Sequence, residues 1–297
     1  MKVRKFAAID IGSNAIRLLT HNVIEEKGKK TQFRKSALIR VAVRLGEDSF
    51  TLGQISEKNV DRMVKSMKAF KLLMEVAGVE EYRACATSAM REAKNGQEII
   101  NKIKKEANIS IDLIDGKEEA KIIASTDLKD VIKEDQSYLY IDVGGGSTEF
   151  TIFTKGKIKI SKSFKLGTVR LLNDMVGEDL WNDLQSWIKT NTEGLSKLSI
   201  IGSGGNINKL HKMSGRKEGQ ALSCIWLNAQ YHFLDSLCYD DRISELGLNP
   251  DRADVIIPAT RIFLSAAKWS GAKKIYVPKI GLSDGIIKTL YNSKKKR

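Results

Sequence analysis

The sequence predicts an α/β protein of two similar domains facing each other across a phosphate-binding cleft. Three observations predict it. One design occurs twice, as Phe6-Ala7-Ala8-Ile9-Asp10-Ile11-Gly12-Ser13-Asn14 and as Tyr138-Leu139-Tyr140-Ile141-Asp142-Val143-Gly144-Gly145-Gly146-Ser147-Thr148-Glu149: an apolar strand that reaches a carboxylate and a small-residue turn. Strand-like and helix-like segments alternate in both halves, the pattern of layered α/β folds. A polar run, Lys129-Asp130-Val131-Ile132-Lys133-Glu134-Asp135-Gln136, separates the halves. The expected domains are residues 1–124 and 125–297, with a last helix at about 283–295 packing back on the first.

The elements follow from local patterns. After each turn the chain continues as a strand-like run, Ala15 to Val23 and Glu149 to Thr154, so both copies read as hairpins. A third strand is expected from Gln32 to Val43, then a polar, glycine-bearing stretch through Gly53. Val60, Val64, Met67, Phe70 and Met74 recur at helical spacing, with Ser56 as a starting cap and Gly78 as a stop. Tyr82 to Ala86 reads as a strand, Gln97 to Ala107 as a helix, Ile109 to Ile114 as a strand and Glu118 to Thr126 as a helix. In the second half, Leu198 to Ile201 is a strand leading through Gly202-Ser203-Gly204-Gly205-Asn206 into a helix, Ile207 to Met213. Arg252 to Lys268 is expected to be a helix kinked at Pro258, and Ser283 to Tyr291 another helix.

Composition narrows the function. In 297 residues, 42% hydrophobic content supports folded cores rather than disorder. No run of about 18 apolar residues marks a membrane span, and no secretory h-region precedes the first strand, so a cytoplasmic protein without a membrane partner is expected. Cys85, Cys224 and Cys238 are widely spaced and odd in number, which fits reduced packing thiols. The net charge of +14 favours polyanionic ligands. With 7% aromatic residues and no basic run interleaved with aromatics, nucleic acid is not the expected polyanion. The terminal Lys294-Lys295-Lys296-Arg297 run reads as a solvated end.

The two turns carry the chemistry. Glycines let backbone N–H groups approach an anion closely and hydroxyls add donors, so Ser13, Asn14, Gly145, Gly146 and Ser147 are placed for phosphate. Asp10, Asp142 and Glu149 offer hard oxygen ligands for magnesium, with manganese as the alternative. Gly204 and Gly205, between a strand and a helix, mark a third place for phosphate. Arg91 follows a strand end, where it either clamps a phosphate from a loop or pairs with Glu92. By spacing alone Glu118 and Glu119 complement a helix dipole. His21, His211 and His232 show no ligand spacing, and no residue pattern calls for a covalent nucleophile.

Together with Ala86-Thr87-Ser88-Ala89-Met90-Arg91-Glu92-Ala93, Gly116-Lys117-Glu118-Glu119-Ala120, Phe164-Lys165-Leu166-Gly167-Thr168-Val169-Arg170-Leu171, Gly202 to Gly205 and Arg252-Ala253-Asp254-Val255-Ile256, the two turn strings resemble the exopolyphosphatase and guanosine pentaphosphate phosphohydrolase family. The resemblance runs over nearly the whole chain. It implies two actin-like domains of the sugar kinase, actin and heat-shock ATPase superfamily, with a ribonuclease H-like core. It implies a phosphoanhydride hydrolase with Glu119 orienting the attacking water. Arg91, Ser13, Asn14, Gly145, Gly146 and Ser147 would then hold terminal phosphates, and Asp142 and Glu149 would lie around the metal. Inorganic polyphosphate is the implied substrate, guanosine pentaphosphate the alternative, and a sensor that binds without turnover the non-enzyme alternative. A homodimer is the implied assembly. Ala15, Asn206 and Ser283-Asp284 depart from the family's hydroxyl, threonine and arginine-glutamate positions. By the resemblance the chain is expected to carry the two-domain core without the further helical domain of longer members, and with it a preference for short polyphosphates or a nucleotide.

Overall fold

The computed structural model describes residues 1–126, 128 and 131–295. Lys129 and Asp130 of the polar run, and Lys296 and Arg297 of the basic end, lie outside the described residues. The chain divides into two compact units, Met1–Thr126 with Gly281–Arg297, and Asp127–Ile280.

The first unit runs β1 (Lys2–Ile11), β2 (Ile16–Glu25), β3 (Gln32–Val41), α1 (Leu45–Thr51), α2 (Glu57–Ala77), β4 (Glu81–Ala86), α3 (Ser88–Glu92), α4 (Gly96–Ala107), β5 (Ile111–Leu113) and α5 (Gly116–Ala124). Its sheet has the order β3-β2-β1-β4-β5. The second unit runs β6 (Ser137–Val143), β7 (Thr148–Thr154), β8 (Lys157–Phe164), α6 (Thr168–Leu172), α7 (Glu178–Thr192), β9 (Leu198–Ser203), α8 (Gly205–Met213), β10 (Leu222–Ser223), α9 (Cys224–Ser236), α10 (Tyr239–Ser244), α11 (Pro250–Ala253), α12 (Ile256–Ser270) and β11 (Lys274–Tyr276). Its sheet order is β10-β11-β9-β6-β7-β8.

The two sheets are one plan used twice. β1 pairs antiparallel with β2 and parallel with β4, and β4 parallel with β5. β6 likewise pairs antiparallel with β7 and parallel with β9, and β9 parallel with β11. The second unit adds only β10 at its edge. Each sheet is thus a three-strand antiparallel meander continued by parallel strands.

Side-chain chemistry explains the elements that position the turns. β1 is buried on both faces from Phe6 to Ile11, as a central strand covered on two sides requires. α2 begins where the Ser56 hydroxyl accepts from the Asn59 N–H, and ends at Gly78 in the left-handed region (φ 67°). Its Val60, Met63, Val64, Met67, Phe70 and Met74 form the buried stripe. In the second unit Leu139, Ile141, Phe150 and Ile152 of the sheet pack in one core with Leu184 and Ile188 of α7 and Phe263 of α12.

Four expectations are corrected. Residues 45–51, expected as irregular chain, form α1. Its opening turn includes Gly46, whose N–H donates to the Ser13 carbonyl at 2.7 Å. Arg91 lies in the helical turn α3 rather than a loop. The strand expected from Ile109 to Ile114 is paired only over Ile111–Leu113. Pro258 does not kink a helix. The segment breaks earlier, at Asp254 and Val255, into α11 and α12, and Pro258 sits in the first turn of α12, where the missing N–H would have no intrahelical partner.

The last helix, α13 (Leu282–Lys295), belongs to the first unit and packs on β1, β2, β4 and α5. Gly285 lets it approach α5, since a Cβ there would lie 2.3 Å from the Ile122 carbonyl. Asp284 accepts from the Gly281 N–H at 3.0 Å, a capping-box contact, pairs with Lys35 at 3.0 Å and lies 3.4 Å from His21 Nε2. Tyr291 donates to Glu25 at 2.5 Å and meets Phe6 and Phe33 edge-on.

Candidate functional site

Both strands that carry the aspartates end in four-residue turns closed the same way. Gly12 N–H donates to the Ala15 carbonyl at 3.1 Å, and Gly144 N–H to the Ser147 carbonyl at 3.0 Å. The flanking registers are Ile11 opposite Ile16 and Val143 opposite Thr148. The aspartates therefore occupy matching positions with different neighbours: Arg17 and Cys85 beside Asp10, Glu149 and Ser203 beside Asp142.

In the first unit Asp10 is buried and accepts from Arg17 Nη1 at 2.9 Å. Ser13 Oγ lies 3.1 Å from Ser88 Oγ, both buried, so the turn is tied to the start of α3. The Ser13 and Asn14 carbonyls accept from the N–H groups of Gly46 and Arg44. A Cβ on Gly46 would lie 2.9 Å from the Ser13 Cβ, so glycine is what allows α1 to sit against the turn. Arg91 Nη1 donates to the Ile114 carbonyl at 2.6 Å. Burial pushes the Cys85 thiol, in register with Asp10, up to about 12, so it stays protonated.

The start of α5 is tied by its own cap and by an arginine. Asp115 caps the helix by accepting from the Glu118 N–H at 2.8 Å, and that bond holds its carboxyl below the ordinary range. Glu118 is engaged by Arg83 Nη2 at 2.8 Å, while Arg83 Nε donates to Asp112 at 2.8 Å. Burial disfavours the Arg83 charge, but hydrogen bonds to Glu118 and Asp112 outweigh it and leave the arginine firmly protonated. Glu119, partly exposed, lies in the same first turn.

In the second unit the turn is held from behind. The Gly144 carbonyl accepts from the Thr168 N–H at 3.0 Å, the Gly145 carbonyl from the Val169 N–H at 2.9 Å and the Gly146 carbonyl from Arg170 Nε at 2.8 Å. A planar trans peptide points its N–H opposite to its C=O. The N–H groups of Gly145, Gly146 and Ser147 are therefore directed to the other side of the turn, an array suited to an anion. Ser147 Oγ donates to Glu149 Oε1 at 2.7 Å, and Ser163 Oγ to the same oxygen at 2.9 Å. Gly204 (φ 109°) abuts this arrangement, since a Cβ there would lie 3.0 Å from the Val143 carbonyl and 3.5 Å from Asp142 Oδ1. Asp142, the Gly144–Ser147 turn, Glu149 and Gly204 thus lie together, and Gly205 opens α8 beside them.

Among the described residues no group of three or more His, Cys, Asp and Glu side chains gathers as a metal site. Magnesium is commonly held by one or two carboxylates, with phosphate oxygens and waters completing its shell, and Asp142 and Glu149 fit that kind of donor set. Sequence reasoning assigned no role to Arg83, Ser88, Gly46, Ser163, Gly167 or Arg170. Gly167 and Arg170 stood within a quoted string, but the carbonyls they serve are more than twenty residues away.

The profile of the Ppx/GppA phosphatase family matches residues 23–294. The chain belongs to this family. As a Ppx/GppA chain it is 30% identical over 304 residues to the bifunctional 3-dehydroquinate synthase/phosphatase of Fusobacterium nucleatum, covering 91% of this chain and 44% of that protein. It is 29% identical over 174 residues to a guanosine-5'-triphosphate,3'-diphosphate pyrophosphatase of Aeromonas hydrophila, covering 58% of this chain and 34% of that protein. The chain thus spans less than half the length of either relative. Among solved structures, a Cytophaga hutchinsonii exopolyphosphatase superposes with a TM-score of 0.85 at 27% identity, covering 98% of both chains. Among the described residues no helix is long and apolar enough to cross a membrane.

Proposed function

We propose that this Ppx/GppA phosphatase is an exopolyphosphatase that releases the terminal phosphate of inorganic polyphosphate. The observation that carries the reading is the Gly144–Ser147 turn, whose three N–H groups point away from their bound carbonyls and are ready for phosphoryl oxygens. The similarity to the Cytophaga exopolyphosphatase over nearly the whole chain favours polyphosphate. Guanosine pentaphosphate is the second reading, supported by the shorter match to the Aeromonas pyrophosphatase.

In this reading Gly145, Gly146 and Ser147 of the second unit bind and orient terminal phosphate, and Ser13, Asn14 and Arg91 are the phosphate-binding candidates of the first unit. Gly204 and Gly205 line the start of α8 as a further phosphate contact. Glu119 holds the attacking water and takes its proton, the role the family resemblance implies for it. Magnesium, which Asp142 and Glu149 would hold, would neutralise phosphoryl charge, and Asp10 is tied to Arg17 within its own unit.

Phosphate release by the purified protein with magnesium, compared for short polyphosphate, long polyphosphate and guanosine pentaphosphate, tests this. Glu119→Gln should lower turnover by about a hundredfold or more while leaving substrate binding within a few-fold. Wild-type-like turnover in that variant removes Glu119 from the mechanism. Tight binding by wild-type protein without release of phosphate from any of the three makes it a sensor.

A further inference from the structure

Arg170 lies outside every role assigned so far. It belongs to α6, is buried at 8% exposure, and donates from Nε to the Gly146 carbonyl at 2.8 Å. The other two bonds to the turn come from the backbone N–H groups of Thr168 and Val169, so side-chain substitution does not delete their donors. Arg170 is thus the side-chain bond in a set of three.

The turn it serves has few side chains of its own to hold its peptides in place. Gly144, Gly145 and Gly146 are consecutive, and glycine accepts either sign of φ at little cost. A flip of the Gly146–Ser147 peptide would exchange the Ser147 N–H for the Gly146 carbonyl and turn an acceptor toward the phosphate. Gly167, just before α6, keeps the brace close: a Cβ there would lie 2.3 Å from the Gly145 carbonyl oxygen and 2.5 Å from the Gly146 carbonyl carbon. In the first unit the Ser13 and Asn14 carbonyls accept from the backbone N–H groups of Gly46 and Arg44.

We propose that Arg170 is a positioning residue for phosphate binding: by fixing the Gly146 carbonyl it holds the Ser147 N–H on the substrate side of the turn. The proposal rests on the phosphohydrolase reading above. It assigns Arg170 no contact with the reacting atoms, and it differs from simple attraction of phosphate by a positive charge.

The test uses Arg170→Met, which keeps the bulk and removes both donor and charge, Arg170→Lys, which keeps both, and Arg170→Gln, which keeps an amide donor without charge. KM and kcat are measured with tripolyphosphate and magnesium. The Kd for tripolyphosphate is measured separately in the Glu119→Gln background, and thermal melts of every variant are recorded. Loss of one oriented hydrogen-bond donor should raise KM and Kd about tenfold in Arg170→Met, with a smaller change in kcat. Arg170→Lys and Arg170→Gln should both recover to within about threefold of wild type. Arg170→Met that melts lower but binds with wild-type KM and Kd would overturn the proposal in favour of a purely structural role. Arg170→Gln behaving like Arg170→Met while Arg170→Lys recovers would overturn it in favour of charge attraction. Wild-type protein that neither binds nor hydrolyses tripolyphosphate or guanosine pentaphosphate would overturn the phosphohydrolase reading and this proposal with it. Failure confined to the Arg170 variants leaves that reading standing.

Discussion

At the scale of residues, neighbours decide roles that residue type leaves open. Glu118 and Glu119 are adjacent and in the same helical turn, yet only Glu118 accepts from Arg83. Glu118→Gln should therefore keep phosphate release within about threefold of wild type, since one partly exposed ion pair is worth little. A collapse in that variant comparable to Glu119→Gln, seen in the same phosphate-release assay, would show that the pair acts as a unit. Gly204 makes a sharper case. Its φ of 109° and ψ of 162° fall where residues with a Cβ are strained, and the added Cβ would press on the Val143 carbonyl. Gly204→Ala should cost about 1–3 kcal/mol in denaturant unfolding. It should also weaken magnesium-dependent turnover, because the turn and Asp142 lie against it. The departure at Ser283-Asp284 is also settled by surroundings: Asp284 serves as the inner acceptor of its own helix start and as the partner of Lys35 and His21.

At the scale of elements, the contacts that dock α13 are polar as well as apolar, and this gives them a pH dependence. Burial pushes the Asp284 carboxyl up, but His21, Lys35 and the Gly281 N–H outweigh it and hold it below its ordinary value. A depressed folded pKa means the carboxylate stabilises the native state at any pH above the unfolded value of about 3.9. That contribution fades as pH falls through the lower folded value. Thermal melts of wild type and Asp284→Asn should differ most near neutrality and converge below about pH 4. A gap that is constant from pH 7 to pH 3 would mean that the charge is not what stabilises the helix. α2 supplies a contrast, since its start is a local device. The Ser56 hydroxyl accepts from Asn59 N–H, and the Asp48 carboxylate accepts from the Ser56 N–H and hydroxyl and from Asn59 Nδ2. Ser56→Ala should lower stability by about 1 kcal/mol in denaturant titration, without changing KM.

At the scale of the whole molecule, one strand plan is repeated and each copy braces its turn with a short helix that follows the third strand. α1 donates to the Ser13 carbonyl, and α6 with Arg170 donates to the glycine turn. The first unit is completed by residues 281–297, far away in sequence. Deleting residues 281–297 should raise hydrogen exchange in β1, β2 and β4, the strands that α13 covers. Unchanged protection in those strands would show that the sheet holds without its last helix.

The sequence by itself determined what is set within a few residues. The two aspartate strands, their hairpins, the Ser56 cap, the Gly78 stop and the strand, glycine turn and helix around Gly204 all follow from glycine conformations, capping hydroxyls and hydrophobic periodicity, which act locally. Only the tertiary structure decided what depends on chain segments meeting. Helix α1 escaped the reading because the polar residues of 45–51 lack an extended apolar period. Arg91 lies in a helical turn because α3 forms against the first hairpin, where Thr87 N–H bonds the Ile11 carbonyl. Pro258 is harmless because the break in the chain falls before it. The engagement of Glu118 needed Arg83, thirty-five residues upstream. The brace on the Gly144–Ser147 turn needed Arg170, twenty-four residues beyond Gly146. Side-chain pattern reveals which groups can donate or accept; which carbonyl meets which donor is fixed only when the sheets and helices pack.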